Sequence, residues 1–241
     1  RQRLASNLNH NRPLFRRLRK LFNGSSLDGD ARLVNYFRWI NRPDLMALYT
    51  KEFRSSLLEE NSKDPMMDFL SKLPPKTSPL DRMLALEQLF FLTDHNLTYT
   101  DKMSMAVGVE VRVPFLDLDL VEFAAHIPTK YKQRGFESKW ILKQAMKPYL
   151  PREVIYRSKS GFGAPLRQWI KVELRELLNE LLGEKSLLKR GLFDPVTVQK
   201  LIVSNTQGKI DATYTIFSLM CIELWCRRFI DQCTKTSTGS I

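Results

Sequence analysis

Few of the signals that mark membrane, secreted, metal-binding or nucleotide-cradling proteins occur in this chain. No apolar run approaches the roughly 20 residues that span a bilayer, and the start, Arg1-Gln2-Arg3-Leu4-Ala5, lacks the apolar stretch of a secretory signal. The expected compartment is the cytoplasm, with no membrane partner. Cysteine is scarce. Cys221, Cys226 and Cys233 are spaced by five and seven, which fits neither a CxxC pair nor an even disulfide framework, so they are read as buried or free thiols. His10, His95 and His126 stand far apart with no consistent ligand pattern, and no metal site or catalytic triad is assigned to them. There is no Walker lysine pattern, GxGxxG, internal repeat or low-complexity linker. Strand-like alternation is rare and segments of helical period dominate, so the chain is expected to be mostly α.

What is present is the composition of a globular protein: 241 residues, 43% hydrophobic and 27% charged, enough for one large domain or two small ones around a sizeable core. The formal charge is +12 and unevenly spread, because Arg12, Arg16, Arg17, Arg19 and Lys20 crowd a stretch where Leu14, Leu18 and Leu21 recur at helical spacing. This suits a polyanion partner or an exposed or docked helix face. Helices are expected over residues 31–40, 44–49, 65–73 and 80–92, the last with Met83, Leu84, Leu86, Leu89 and Phe90 on one apolar face. Loops are expected at 23–26 and 73–79, since Gly relaxes φ while Pro fixes it and removes a donor. The second loop is the expected boundary, giving an N-terminal helical segment over 1–78, a helical lobe over 79–233 and a tail over 234–241.

Further on, Asp117 is expected to cap a helix over 118–125 and Ser138 one over 139–147. Pro165 opens a long amphipathic helix that ends at Gly183, and Asp194-Pro195 opens a shorter one. Asp211 caps the last, with Ile216, Phe217, Met220, Leu224 and Trp225 on a buried face. Met103, Met105, Phe115, Trp140, Trp169 and Trp225 are read as core.

Two stretches are denser in charge than core packing requires. In residues 99–117, Asp101, Lys102, Glu110 and Arg112 are embedded among apolar neighbours. If that run is buried, these ions must be paired, because an isolated ion in a low-dielectric interior costs several kcal/mol; for Glu110 and Arg112 a structural ion pair is the preferred reading. The second stretch, residues 156–165, is a basic loop with Arg157, Ser158, Lys159, Gly161 and Gly163 leading into a helix. Glycine lets a backbone approach an anion and lysine adds a compact charge, so the loop suits phosphate, though a solvated basic turn has the same composition.

From Leu80 to Arg228 several of these segments, in order and spacing, resemble the C-terminal synthetase domain of the asparagine synthetase family. They are Asp101-Lys102-Met103-Ser104-Met105-Ala106, Gly108 to Asp117, Lys139-Trp140-Ile141-Leu142-Lys143, Leu150-Pro151, and Arg157-Ser158-Lys159-Ser160-Gly161-Phe162. The resemblance implies the helical C-terminal part of an α/β synthetase domain of the PP-loop ATP pyrophosphatase type. It implies a ligase in which a carboxylate, aspartate in the namesake enzymes, reacts with ATP in the presence of Mg2+ to give an acyl-adenylate and pyrophosphate. Ammonia released from glutamine by an N-terminal glutaminase domain then displaces AMP. Lys159 takes the place of the family's phosphate-holding catalytic lysine; Arg157, Ser158 and Gly161 are phosphate-binding candidates, and Asp101, Lys102, Glu110 and Arg112 are structural or supporting candidates. Arg157 either assists Lys159 or pairs with a carboxylate.

The family's Ser-Gly-Gly-x-Asp-Ser and Gly-x-Gly-x-Asp-Glu motifs, which supply nucleotide and magnesium contacts, are not in the sequence. The chain is therefore expected to be a fragment or truncated product without the glutaminase and nucleotide-binding portions, binding neither ATP nor Mg2+ tightly and inactive alone. Within the match, Tyr99 and Lys102 stand where many members carry Lys and Arg. Antibiotic and polysaccharide pathways also use members of this family, which leaves the acceptor carboxylate open. The alternatives are a helical nucleic-acid or partner-binding module, with nucleic acid the less favoured ligand, and an inert scaffold that retains the lobe.

Overall fold

The computed structural model describes residues 26–27, 29–59, 64–158 and 164–232. The basic segment around Leu14, Leu18 and Leu21, most of the 23–26 loop, Lys159, Gly161 and Cys233 lie outside them. The described chain is mostly helical, with one two-residue hairpin as its only sheet. No helix among the described residues is long and apolar enough to cross a membrane. Two compact units form, one from Arg1–Asp64 with Phe162–Ile241 and the other from Pro65–Gly161.

The first unit holds the main hydrophobic core. Helix Arg175–Leu182 buries Leu178, Leu181 and Leu182, and helix Thr213–Trp225 meets it with Ile216, Leu219 and Met220. Gly183 separates Arg175–Leu182 from the next helix, Glu184–Arg190, and a Cβ there would sit 2.5 Å from the Asn179 carbonyl oxygen, so the tight approach requires glycine. Leu48, Phe193 and Val198 close the same core. Tyr49 bridges to Phe193 in antiparallel fashion, with Thr50 N–H donating to Leu192 O (3.0 Å) and Asp194 N–H to Leu48 O (2.8 Å). Helix Pro195–Thr206 begins as expected, the Asp194 carboxylate accepting from Thr197 N–H at 2.8 Å.

Three expectations are revised in this unit for physical reasons. The long helix from Pro165 is two, Leu166–Lys171 and Arg175–Leu182, because Val172 takes a non-helical conformation (φ −123°, ψ −74°). The residue at the cap position of the last helix is Ala212; Asp211, one residue further out, still accepts from the backbone and hydroxyl of Thr213 and also pairs with Arg167 at 2.8 Å. That helix buries Leu219 and Glu223, while Phe217, Leu224 and Trp225 are exposed; Trp169 is also exposed rather than core.

Glu223 is the polar centre of the unit. Its carboxylate, 7% exposed, accepts from Arg190 Nε (2.8 Å) and Arg227 Nε (2.9 Å). Arg190 also donates to Asp231 (2.8 and 2.9 Å), and Arg227 reaches Glu180. Burial alone would push the Glu223 carboxyl up, but the two guanidiniums outweigh it and hold it below the ordinary glutamate value. Burial likewise opposes and Arg167 prevails at Asp211, which is also lowered.

The second unit has little core, with Leu70 and Leu86 its fully buried apolar side chains. Ser78 and Pro79 start helix Pro79–Leu86, the Ser78 hydroxyl accepting from Asp81 N–H. The Asp81 carboxylate accepts from Lys132 Nζ (2.8 Å) and the Thr129 hydroxyl (3.1 Å), and these hydrogen bonds, led by Lys132, lower its pKa against the opposing effect of burial. A π-helix over Glu87–Leu97 continues the chain into helix Thr98–Met105. Helix Leu118–His126 is capped by Asp117 as expected, with Leu120 N–H donating at 3.1 Å. Ser138 is not the next cap: it lies in the Gln133–Arg134 and Glu137–Ser138 hairpin, and Lys139, left-handed at φ 58°, precedes helix Trp140–Met146.

Replacing Glu223 by Ala leaves two guanidiniums short of their shared carboxylate and is expected to destabilise the chain by about 3 kcal/mol, read by urea unfolding. A second measurement follows from pH. Glu223, Asp211 and Asp81 all titrate lower in the folded protein, so their contribution is complete above their ordinary values of 4.5 and 3.8. It is lost as pH falls through the lower folded values. Urea midpoints should stay level from neutrality to about pH 5 and fall steadily below about pH 4.

Candidate functional site

The described part of the predicted phosphate loop begins where helix Arg152–Ile155 ends. Tyr156 closes that helix, its N–H donating to Arg152 O at 3.0 Å, and Arg157 and Ser158 follow, both exposed. The Tyr156 ring carries two cations, Lys143 Nζ 5.2 Å and the Arg152 guanidinium 5.8 Å from its centroid. Lys143 comes from helix Trp140–Met146 and also pairs with Glu137 at 3.4 Å. Lys143 and Arg152 therefore meet at the residue that leads directly into Arg157 and Ser158. Cations arranged this way favour a phosphate, and the aromatic ring holds their stems at a gain of about 0.5–1 kcal/mol each at an exposed site. Neither residue was among the sequence-derived candidates. The signal was there in the interleaving of Lys143, Arg152 and Tyr156.

The second predicted stretch holds no buried residue, and only Thr100, Ser104 and Leu116 are half-buried. Asp101 and Lys102 lie on helix Thr98–Met105 with their side chains in solvent, and no ion pair involves either among the described residues. Glu110 and Arg112 do pair, at 2.8 Å, but with 68% and 82% of their side chains exposed. The pair exists as expected without burial, which makes it a solvated contact of small energy. Met103, Met105 and Phe115, expected in a core, are exposed as well. A depression of about 470 Å3 runs along residues 110–114 with Leu116 and Asp117 in its wall. Among the described residues no group of three His, Cys, Asp or Glu could hold a metal ion. The cationic approach to Arg157 fits the phosphates of a nucleotide.

The chain is thus helical, with two cations gathered on the Tyr156 ring at the start of the loop. The asparagine synthase family model matches residues 1–227, and the chain belongs to that family. It is 28% identical over 148 residues to asparagine synthetase [glutamine-hydrolyzing] 1 of Bacillus subtilis, covering 61% of this chain and 23% of that one. It is 30% identical over 162 residues to asparagine synthetase [glutamine-hydrolyzing] 3 of the same organism, covering 67% and 25%. A protein named amidase chyE in Penicillium rubens is 29% identical over 108 residues, covering 42% and 16%. The chain thus spans about a quarter of the length of the curated asparagine synthetases it matches. No solved structure matches it.

Because the Glu110 and Arg112 pair is solvated, Glu110→Ala should change the unfolding free energy by less than about 1 kcal/mol. A loss several times larger in urea unfolding would show that the pair carries structure.

Proposed function

We propose that this chain is the helical part of a synthetase that activates a carboxylate with ATP and amidates it, with aspartate as the acceptor in the simplest case. The observation that supports this most strongly is the family match over residues 1–227. In the first step a carboxylate oxygen attacks the α-phosphorus and the bond to the β-phosphate oxygen breaks, releasing pyrophosphate. In the second, ammonia adds to the acyl carbon, AMP leaves with the bonding electrons, and the nitrogen loses a proton. Lys159 is assigned to the phosphates, where a preplaced cation offsets charge that grows in the transition state. Arg157 and Ser158 sit at the same loop, and Lys143 and Arg152 raise the local positive potential at its entrance. Magnesium, when bound, would neutralise phosphate charge through ligands beyond the described residues.

The remaining parts of the machinery, a glutaminase domain and a PP-loop nucleotide-binding portion, are partners in this reading. The similarity to a protein named an amidase keeps the acceptor open to carboxylates other than aspartate. The runner-up, a basic nucleic-acid-binding module, draws on the cation and aromatic pairs Lys130 with Tyr131 and Arg134 with Trp140. It requires affinity for single strands that falls steeply with salt.

In the complete enzyme, Lys159→Ala is expected to remove about 3 kcal/mol of transition-state stabilisation from adenylation, a loss of roughly a hundredfold in pyrophosphate exchange, while leaving glutamine hydrolysis intact. Unchanged synthesis would remove Lys159 from the mechanism. The 241-residue chain by itself should show no substrate-dependent exchange of pyrophosphate into ATP.

A further inference from the structure

A depression of about 320 Å3 opens in the first unit between helix Glu184–Arg190 and the π-helical turn Cys226–Ile230. Its floor is the ion network around Glu223, whose two carboxylates are already engaged. Glu223 accepts from Arg190 and Arg227, and Arg190 forks onto both oxygens of Asp231 at 2.9 and 2.8 Å. The wall is formed by Lys185 and Lys189, one helical turn apart and both exposed. Neither lysine makes a hydrogen bond or an ion pair with a described residue, and Lys189 acts on Asp231 only as a charge at longer range. Four cations and two carboxylates therefore line the depression, which leaves two positive charges unbalanced. Like charges four residues apart on a helix repel, so Lys185 and Lys189 oppose the helix that carries them until an anion sits between them.

We propose that this depression binds a phosphate monoester. The charge of such a group, close to −2 at neutral pH, balances the surplus on the wall, and its three oxygens match the donors around it. Lys185 and Lys189 supply compact ammonium charges. Ser186 adds a hydroxyl whose present acceptor, Glu223, is 3.5 Å away, so its proton is free to turn toward a phosphate oxygen. Arg227 Nη2 is held as loosely, at 3.2 Å from the Ser186 oxygen and 3.4 Å from the Glu180 carbonyl, and is a further donor. Glu223 keeps the Nε donors of Arg190 and Arg227 throughout, so binding does not uncover the buried carboxylate. The volume lies at the lower end of small-molecule pockets, which leaves room beside the phosphate for a small organic group. No residue of this site belongs to the Arg157, Ser158 and Lys159 loop, and the proposal does not depend on the amidation reading.

The test titrates the 241-residue chain with glycerol 3-phosphate by calorimetry, at an ionic strength held constant with chloride. One saturable site per chain is expected, together with a rise in the urea midpoint as ligand is added. Replacing Lys185 and Lys189 together by Ala should weaken binding about tenfold or more, the loss of charged donors, without lowering the urea midpoint of the unliganded chain. Replacing Lys200 and Lys209 together by Ala removes the same charge from exposed positions of the same unit outside the depression, and should change the affinity by less than about twofold. Absence of saturable binding overturns the proposal, as does equal weakening by the two double variants, which would reduce the effect to net charge. Loss of binding in Lys159→Ala with none in the Lys185 and Lys189 double variant overturns it too, since the phosphate would then sit at the predicted loop. Tighter binding of an oligothymidine strand without terminal phosphates would also overturn it, in favour of a nucleic-acid surface.

Discussion

A carboxylate buried at Glu223 can exist in this protein only because two guanidiniums meet it, and the geometry of that meeting organises the first unit. Arg190 ends helix Glu184–Arg190, Glu223 lies in the last full turn of helix Thr213–Trp225, and Arg227 and Asp231 follow on the π-helical turn Cys226–Ile230 and just beyond it. One ion therefore sets the rotation of the last helix about its axis. That rotation turns Ile216, Leu219 and Met220 inward and leaves Phe217, Leu224 and Trp225 in solvent. A buried ion pair adds little net stability compared with a well-packed apolar contact, but a mismatched one is heavily penalised, so such a network specifies one packing among several apolar alternatives.

The second unit is built on the opposite principle. Its organising group, Asp81, is only half withdrawn from water and gathers Ser78, Thr129 and Lys132 around one carboxylate. Helix ends are fixed there by caps and short polar contacts more than by apolar packing, and large apolar side chains such as Phe115, Leu118 and Phe123 stay exposed. Small buried area and many exposed backbone groups place such a unit at the low-stability end of a protein, where binding surfaces are commonly found.

The helical class of the chain was legible, because period 3.6 dominates and alternation is rare. The caps at Asp117 and Asp194 were legible too, since a short carboxylate ahead of an apolar run has one local use. The inward side of the last helix was not. Helix Thr213–Trp225 is apolar nearly all round, so periodicity carries no direction, and only the distant Arg190 decides that Glu223 faces in. The break at Val172 was equally hidden, because leucine spacing runs across it undisturbed. At the candidate site, motif order brought out Lys159 and its neighbours. The cations Lys143 and Arg152 came to light only once Tyr156 was seen to gather them.

The strap formed by Tyr49 and Phe193 joins residues 144 positions apart, and the whole second unit lies in the chain between them. A ribosome delivers these pieces in order, so residues 65–161 emerge as a closed set of contacts while the segment before them still lacks its other half. The first unit cannot begin to close its core until Phe193 and the final helix have been made. Leu48 therefore stays uncovered until the helices that pack on it have been made.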